Sequence, residues 1–486
     1  MLKVIHNFDK KIIISKQELK LLRSNNLTQQ FVAPKKNNGL PVPPKPVVSL
    51  PNLSKLRPPP AVVEPAVVEP KNSLGYYEEF KEGDQPRNVG NVSERARSIQ
   101  VAKPSKNCDY KVYRLGDVHK NRRVLMAHLG IDVGTKTVVV AYRGENDEVG
   151  FISEINGYWM FERATPFVEN MLSDPNKVRS DGTKRPARWI KFADGDQICV
   201  LGRDAEEFAY AKNDTLLRPM AEGGISADEE AMTILASIVQ GLMEMAENEI
   251  GKFDKNIKIM YCTTAPAVNK DLNIEYHKKV VDLIIEGYET NANIEAESMK
   301  ESHAIVLNES SDGTGIGISW GAGTVTVSYV KYGLEIYSFC WVGAGDWIDE
   351  QVAMRHGYNP EAMKTRRKIA KETPTTVAKR KMQIDLTPGE TGDRIDMDIR
   401  LHYDVLISQV ADAVVQGFVE HEAEARIDDS INVYMAGGTS SPKGFEERVA
   451  LKFEEKDPPF NIDHVYKSDK PLYCVAEGCL KAAEMF

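Results

Sequence analysis

The sequence is short of the features that would place it among secreted, membrane or metal-cluster proteins. Cysteine is scarce at six in 486 residues, and Cys108, Cys199, Cys262, Cys340, Cys474 and Cys479 are scattered without a CxxC pair. That spacing excludes a disulfide scaffold and a zinc-ribbon site, and it points to reduced, buried thiols in a cytoplasmic protein. Long apolar runs are missing too: nothing approaches the roughly 18 residues a membrane-spanning helix needs. The basic start MLKVIHNFDKK leads only into IIIS, which is too short for a secretory h-region.

Acidic residues are scarce in one part of the chain only. Residues 1–124 hold 23 Lys and Arg against 11 Asp and Glu, net +12, inside a chain whose formal charge is -9. The remainder therefore carries 39 basic against 60 acidic side chains, net -21. A basic arm on an acidic body suits an anionic partner, such as a membrane surface, nucleic acid or the body of a neighbouring subunit; a plain solvated linker is the simpler reading. No specific nucleic-acid motif is present.

Composition divides the chain further. Residues 34–70 contain PKKNNGLPVPPKPVVSLP, LRPPP and the tandem AVVEP-AVVEP, which favour extended polyproline conformations over a packed core. The expectation is a disordered, Pro-rich arm over 1–124, with a short docking segment at 11–23 (KIIISKQELKLLR), where Ser15 to Glu18 has the capping-box pattern. An adaptor protein or an anionic membrane is the partner such an arm would reach. From Val124 onward β-prone runs alternate with helical ones. Helices are expected at Asp228 to Ile250, Lys270 to Glu286, Trp347 to His356, Tyr403 to Ala425 and Gly444 to Phe453. In the first, Met232, Leu235, Ile238, Val239, Leu242 and Met245 recur at helical spacing and read as core. The fold class is α/β.

Two stretches are near copies. GIDVGTKTVVVAY (Gly130 to Tyr142) and GISWGAGTVTVSY (Gly317 to Tyr329) align without gaps and agree at Gly, Ile, Gly, Thr, Val, Val and Tyr. Each reads as strand, tight glycine turn, strand, and such a turn aims backbone N–H groups at phosphate oxygens. A single glycine turn is weak evidence, because glycine in a hairpin usually serves only a positive φ. A matched pair is far stronger. The two copies differ where it matters: Asp132 in the first faces Ser319 in the second.

These residues resemble the actin, DnaK-chaperone and sugar-kinase superfamily, in which two related domains hold ATP between two phosphate hairpins. The resemblance is nearest to bacterial actins of the MreB and MamK type and spans roughly residues 125–486. Beside the two hairpins, VLGRDAEEF with LLRPMAEGGI, AGDWIDEQV, VYMAGGTSSPKGFEERV and AEGCLKAAEMF stand in the family's order. The resemblance implies an actin-like fold of two related α/β domains, 125–310 and 311–486, with a nucleotide cleft between them. The second would carry the adenosine loop and a terminal connecting helix. It implies ATP and Mg²⁺ as ligands, head-to-tail filaments of identical subunits as the assembly, and a cytoplasmic, cytoskeletal place with membrane or organelle association through the arm. Magnetosome alignment and cell-shape control are the candidate roles.

The resemblance also assigns residues. Asp132 would hold Mg²⁺ through water; Gly134, Thr135 and Lys136 in the first turn and Gly321, Ala322, Gly323 and Thr324 in the second would hold phosphate; Gly437, Gly438 and Thr439 would form the adenosine loop, with Lys379 helping to hold adenine and ribose. The water-orienting acid is expected at Glu297, in IEAESMKESHAIV, with Glu295 as the alternative register. Relatives carry acids where this chain has Ser319 and Thr326. A hydroxyl brings no charge to a dication and is no base at neutral pH, so the expectation is nucleotide binding with weak or absent hydrolysis, at most a slow ATPase. The alternative is a degenerate nucleotide-binding scaffold that recruits its partner or membrane through the arm.

Overall fold

β-branched runs build the first large sheet. β3 (Ala127–Val133), β4 (Thr137–Arg143) and β5 (Val149–Ile155) form an antiparallel meander. Val138, Val139 and Val140 are all fully buried, so β4 is covered on both faces and reads as a continuous apolar run rather than an alternating one. β11 (Asn256–Thr263) pairs parallel with β3, and β12 (Asn293–Lys300) pairs parallel with β11. The sheet order is β12-β11-β3-β4-β5.

The second sheet repeats that plan. β13 (Gly315–Trp320), β14 (Thr324–Lys331) and β15 (Leu334–Val342) are an antiparallel meander; β16 (Ser430–Ala436) lies parallel to β13 and β17 (Asn461–Lys467) parallel to β16. With β2 (Gln100–Val101) beside β17, the order is β15-β14-β13-β16-β17-β2. Apart from β2, the two sheets share one topology, and the duplicated sequence is the duplicated first hairpin of each.

The computed structural model describes residues 5–6, 100–101 and 127–485, except 145–146, 162, 164, 180–181, 193–196, 213, 252, 254–255, 361–371 and 422–429. These belong to one unit, Met1–Phe31 with Glu94–Phe486. The expected arm and its docking segment at 11–23 lie outside the described residues, apart from β2 and β1 (Ile5–His6). β1 pairs with β7 (Trp189–Lys191) in a small sheet of order β1-β7-β8-β6, which also contains β6 (Tyr158–Phe161) and β8 (Ile198–Leu201). α1 (Pro166–Ser173) and α2 (Gly202–Lys212) complete this layer over a core of Leu172, Trp189, Ile198, Val200 and Ala205.

Caps set the helix ends. α3 (Glu229–Ile250) begins where the Asp228 carboxylate accepts from the Glu230 N–H at 3.3 Å and stops at Gly251, φ +95°. Its Met232, Leu235, Ile238, Val239 and Leu242 are buried, while Met245 packs at the rim of the same core. α4 (Ile274–Glu286) starts later than Lys270 because Asn273 caps it, accepting from the Tyr276 N–H at 3.0 Å. α8 (Arg394–Glu420) starts well before Tyr403, since Asp393 accepts from the N–H groups of Ile395 and Asp396 at 2.9 and 3.1 Å. α6 (Gly345–Arg355) and α9 (Phe445–Glu455) lie close to their expected positions. No helix among the described residues is long and apolar enough to cross a membrane, and Cys199, Cys262, Cys340, Cys474 and Cys479 are buried and free.

Two helices clamp the sheets together, and glycine is what lets them in. α10 (Cys474–Met485) lies on β3, while α5 (Glu301–Glu309) lies between α10 and β13. A Cβ on Gly130 would stand 2.1 Å from the Ala476 carbonyl oxygen and 2.2 Å from the Leu480 nitrogen; one on Gly317 would stand 2.0 Å from the Ser302 carbonyl oxygen. The first glycine of each repeated stretch therefore serves helix packing rather than phosphate. Because the opposing atoms are backbone and cannot swing away, Gly130→Ala is expected to cost about 1–3 kcal/mol or more of stability, read as a lower urea midpoint. An unchanged midpoint would contradict this packing.

Candidate functional site

Both glycine turns close by the same bond. The Gly134 N–H donates to the Thr137 carbonyl at 3.1 Å, and the Gly321 N–H donates to the Thr324 carbonyl at 3.0 Å. A Cβ at either glycine would meet that carbonyl oxygen, at 2.7 Å for Gly134 and 2.8 Å for Gly321. Only glycine makes so tight a closure.

Neighbouring elements tie two carbonyls of the first turn and three of the second. In the first, the Asn156 Nδ2 donates to Gly134 O at 2.9 Å and the Asn156 N–H to Lys136 O at 2.9 Å. In the second, the N–H groups of Gly345, Asp346 and Gly343 donate to the carbonyls of Gly321, Ala322 and Gly323 at 3.3, 2.9 and 2.9 Å, and Thr439 Oγ1 also donates to Gly321 O at 2.7 Å. The N–H groups of Thr135, Lys136, Ala322 and Gly323 make no hydrogen bond among the described residues. Four N–H groups across the two turns are thus left without a partner among the described residues, while the carbonyls of Gly134, Lys136, Gly321, Ala322 and Gly323 are engaged.

The turns also meet. A Cβ on Gly323 would lie 2.7 Å from Thr135 Oγ1 and 2.6 Å from the Gly223 nitrogen. Gly223 belongs to a third turn, joining β9 (Met220–Ala221) to β10 (Gly224–Ile225). Just before it, Arg218 of the Arg-Pro stretch pairs with Asp346 at 2.5 Å, which links the two halves beside the second turn.

Acids gather next to the hairpins, though not all those expected. Asp132 is half-buried and accepts from the Cys262 thiol at 3.1 Å; burial pushes its carboxyl up to about 6. Glu297 does not join it. It lies on β12, where alternate side chains face outward, and is exposed beside Met260 in register. Glu295 is exposed on the same face. The acid that reaches Asp132 is Glu301, the buried first residue of α5. Burial and then the Asp132 charge push its carboxyl up to about 8, opposed by hydrogen bonds from Ser319 and Thr326. Thr326 Oγ1 stands 3.4 Å from Glu301 Oε2. The hydroxyls of Ser319 and Thr326 in the second hairpin thus hydrogen-bond a carboxyl delivered by a different element. A strand-to-helix boundary in KESHAIV was the available signal, since a helix opening at Glu301 points its first side chains back toward the strand ends.

The glycines expected to form the adenosine loop follow β16 in a tight turn. Gly437 has φ +98°, and a Cβ there would sit 2.3 Å from the Trp320 carbonyl oxygen, whereas a Cβ on Gly438 would meet open space. Thr439 ties this loop to the second turn, and its own carbonyl accepts from Tyr403 OH at 3.0 Å. Lys379 is not at this loop. On α7 (Pro374–Lys381) it is exposed, its ammonium 4.4 Å from the centre of the Tyr210 ring on α2. Lys381, two residues on and so about 200° round the helix, is buried, pairs with Asp349 at 2.7 Å and donates to Gly345 O. Trp320 packs its ring edge-on to Phe445 at 5.1 Å and is fully buried.

Two sheets of one topology, joined by α5 and α10 with paired glycine hairpins between them, define an actin-like fold. The solved structure titled "MamK double helical filament" is similar to this chain at TM-score 0.50 and 15% identity, over 74% of this chain and 99% of that one. MreB5 of Spiroplasma citri bound to ADP gives TM-score 0.46 and 15% identity, over 73% and 94%. The ethanolamine utilization protein EutJ from Carboxydothermus hydrogenoformans gives 0.39 and 14%, over 75% and 92%. No curated protein matches the sequence. The family profile named Volactin matches residues 126–483, and the chain belongs to that family.

The buried Glu301 makes a pH signature. Its carboxyl titrates near 4.5 when free and near 8 in the fold, so the folded state holds the proton more tightly. Its contribution to stability is full below about 4.5 and is lost as pH rises through about 8. Glu301→Gln cannot ionise. It is expected to melt several degrees above the wild type at pH 8, with the gap shrinking steadily toward pH 5, by differential scanning fluorimetry. Equal shifts at both pH values would contradict this burial.

Proposed function

We propose that this protein binds ATP with Mg²⁺ between its two hairpins, assembles head to tail into cytoskeletal filaments, and hydrolyses the nucleotide slowly. One observation carries the reading: two matched turns in contact, the carbonyls of Gly134, Lys136, Gly321, Ala322 and Gly323 hydrogen-bonded and the N–H groups of Thr135, Lys136, Ala322 and Gly323 without a partner among the described residues. The phosphates would be held by Gly134, Thr135 and Lys136 on one side and by Gly321, Ala322, Gly323 and Thr324 on the other. Gly437, Gly438 and Thr439 would lie under the nucleoside, and the two halves would divide near 125–310 and 311–486.

The donor chemistry fits a cation that arrives with its nucleotide. Among the described residues no three metal-ligating side chains cluster, whereas Asp132, with Glu301 once a cation's charge draws off its proton, would supply the one or two carboxylates that Mg²⁺ takes when phosphates and waters provide the rest. When bound, such a cation neutralises phosphate charge. Glu301 is then the residue placed to orient an attacking water. Ser319 and Thr326 hold that carboxyl by hydrogen bonds but add no charge of their own, which favours slow turnover. Filament assembly needs only a heterologous contact whose rotation does not close, and the +12 arm supplies attraction to an anionic membrane or an acidic adaptor.

Sedimentation and electron microscopy of the purified full-length chain at micromolar concentration test the reading. Filaments that pellet with Mg-ATP and are altered by Asp132→Ala are expected. A monomer in every nucleotide and salt condition would overturn the filament claim. Unaltered assembly in the Asp132→Ala protein, with localisation lost on deleting 1–124, would favour the scaffold instead.

A further inference from the structure

Asn156 is fully buried at the end of β5, where the chain leaves the first large sheet for the small one. Its neighbours fix that crossing: Gly202 N–H donates to Gly157 O at 2.8 Å, and Tyr158 exchanges backbone bonds with Leu217 at 2.8 and 3.0 Å. From this pivot Asn156 reaches both ends of the first turn, through Nδ2 to Gly134 O and through its own N–H to Lys136 O. Nδ2 also lies 3.2 Å from the Met220 sulfur, next to the third turn.

The second turn has the same two bonds from different sources. Gly321 and Gly323 stand in the repeat where Gly134 and Lys136 stand in the first, and their carbonyls are taken by the Thr439 hydroxyl and the Gly343 N–H. The repeat therefore keeps the bonds while changing the residues that make them. Asn156 does this at a cost, because its Oδ1 is buried without a hydrogen-bond partner among the described residues. An unpaired buried acceptor is destabilising compared with an apolar side chain of similar shape, so the amide contributes through what Nδ2 holds rather than through folding.

We propose that Asn156 is a positioning residue for phosphate: it locks the carbonyls of Gly134 and Lys136 away from the cleft so that the N–H groups of Thr135 and Lys136 face the anion. This rests on the nucleotide reading above. It also joins the first turn to the pivot of the small sheet.

The test uses the full-length protein with Asn156→Asp and Asn156→Ala. Both delete the Nδ2 donor and keep the backbone N–H; one adds a charge and the other removes volume, so agreement between them isolates the donor. Affinities for ATP and for adenosine are measured by titration calorimetry, with hydrogen exchange on the nucleotide-free protein. Both variants are expected to lose about tenfold or more for ATP while adenosine changes less than about twofold, with faster exchange at 134–137 and none at 321–324. Equal losses for ATP and adenosine would make Asn156 merely structural and overturn the proposal, as would unchanged exchange at 134–137. If the wild type bound no ATP, the nucleotide reading and this phosphate role would both fall, whereas loss confined to unchanged-exchange variants would sink the role of Asn156 alone.

Discussion

Everything in the site depends on how the backbone of two short turns is held. A hairpin turn exposes carbonyl oxygens as readily as N–H groups, and an anion is repelled by the first as strongly as it is drawn by the second. Here Asn156 takes the carbonyls of Gly134 and Lys136 in one turn, and Thr439 with the chain from Gly343 to the start of α6 takes those of Gly321, Ala322 and Gly323 in the other. The N–H groups of Thr135, Lys136, Ala322 and Gly323 stay without a partner among the described residues. This is preorganisation by hydrogen bonds inside the protein, and it requires no cationic side chain.

The remaining architecture keeps those turns in register. Each hairpin belongs to a meander anchored by parallel strands, and each meander is pressed by a helix that approaches through a glycine, Gly130 under α10 and Gly317 under α5. α5 does a second task, since its first residue is Glu301. The helix that joins the halves thus also carries the buried acid to Asp132. Stability and site are coupled through one element, so substitutions that loosen α5 should disturb both.

Much of this was legible in the sequence, and the reason is steric. The paired stretches were readable because closure of the turn and helix approach both demand glycine, and a demand of that kind leaves a fixed spacing. The turn at Gly437 was readable for the same reason, since a Cβ there would meet the Trp320 carbonyl. Side-chain registers were not. Glu297 and Lys379 sit near the right places in sequence but on the wrong faces, because a strand alternates every residue and a helix turns about 100° per residue. A few positions at the boundary of β12 and α5, or along α7, exchange an exposed side chain for a buried one. Asn156 left no signal at all: a single asparagine between two strands looks like an ordinary turn residue, and its role exists only once Gly134 and Lys136 fold back to it.

The replacement of acids by Ser319 and Thr326 also changes meaning in three dimensions. Read along the chain, it removes charge from the second hairpin. In the fold, both hydroxyls attend Glu301, so the site keeps two carboxyls, Asp132 and Glu301, with hydroxyls around one of them. Whether the two turns together grip a phosphate chain is tested most directly by the affinity of the wild-type protein for adenosine, AMP, ADP and ATP under one set of conditions with Mg²⁺. Affinity should rise steeply between AMP and ADP, where the second phosphate first reaches both turns. A flat series, with adenosine binding as tightly as ATP, would contradict that grip.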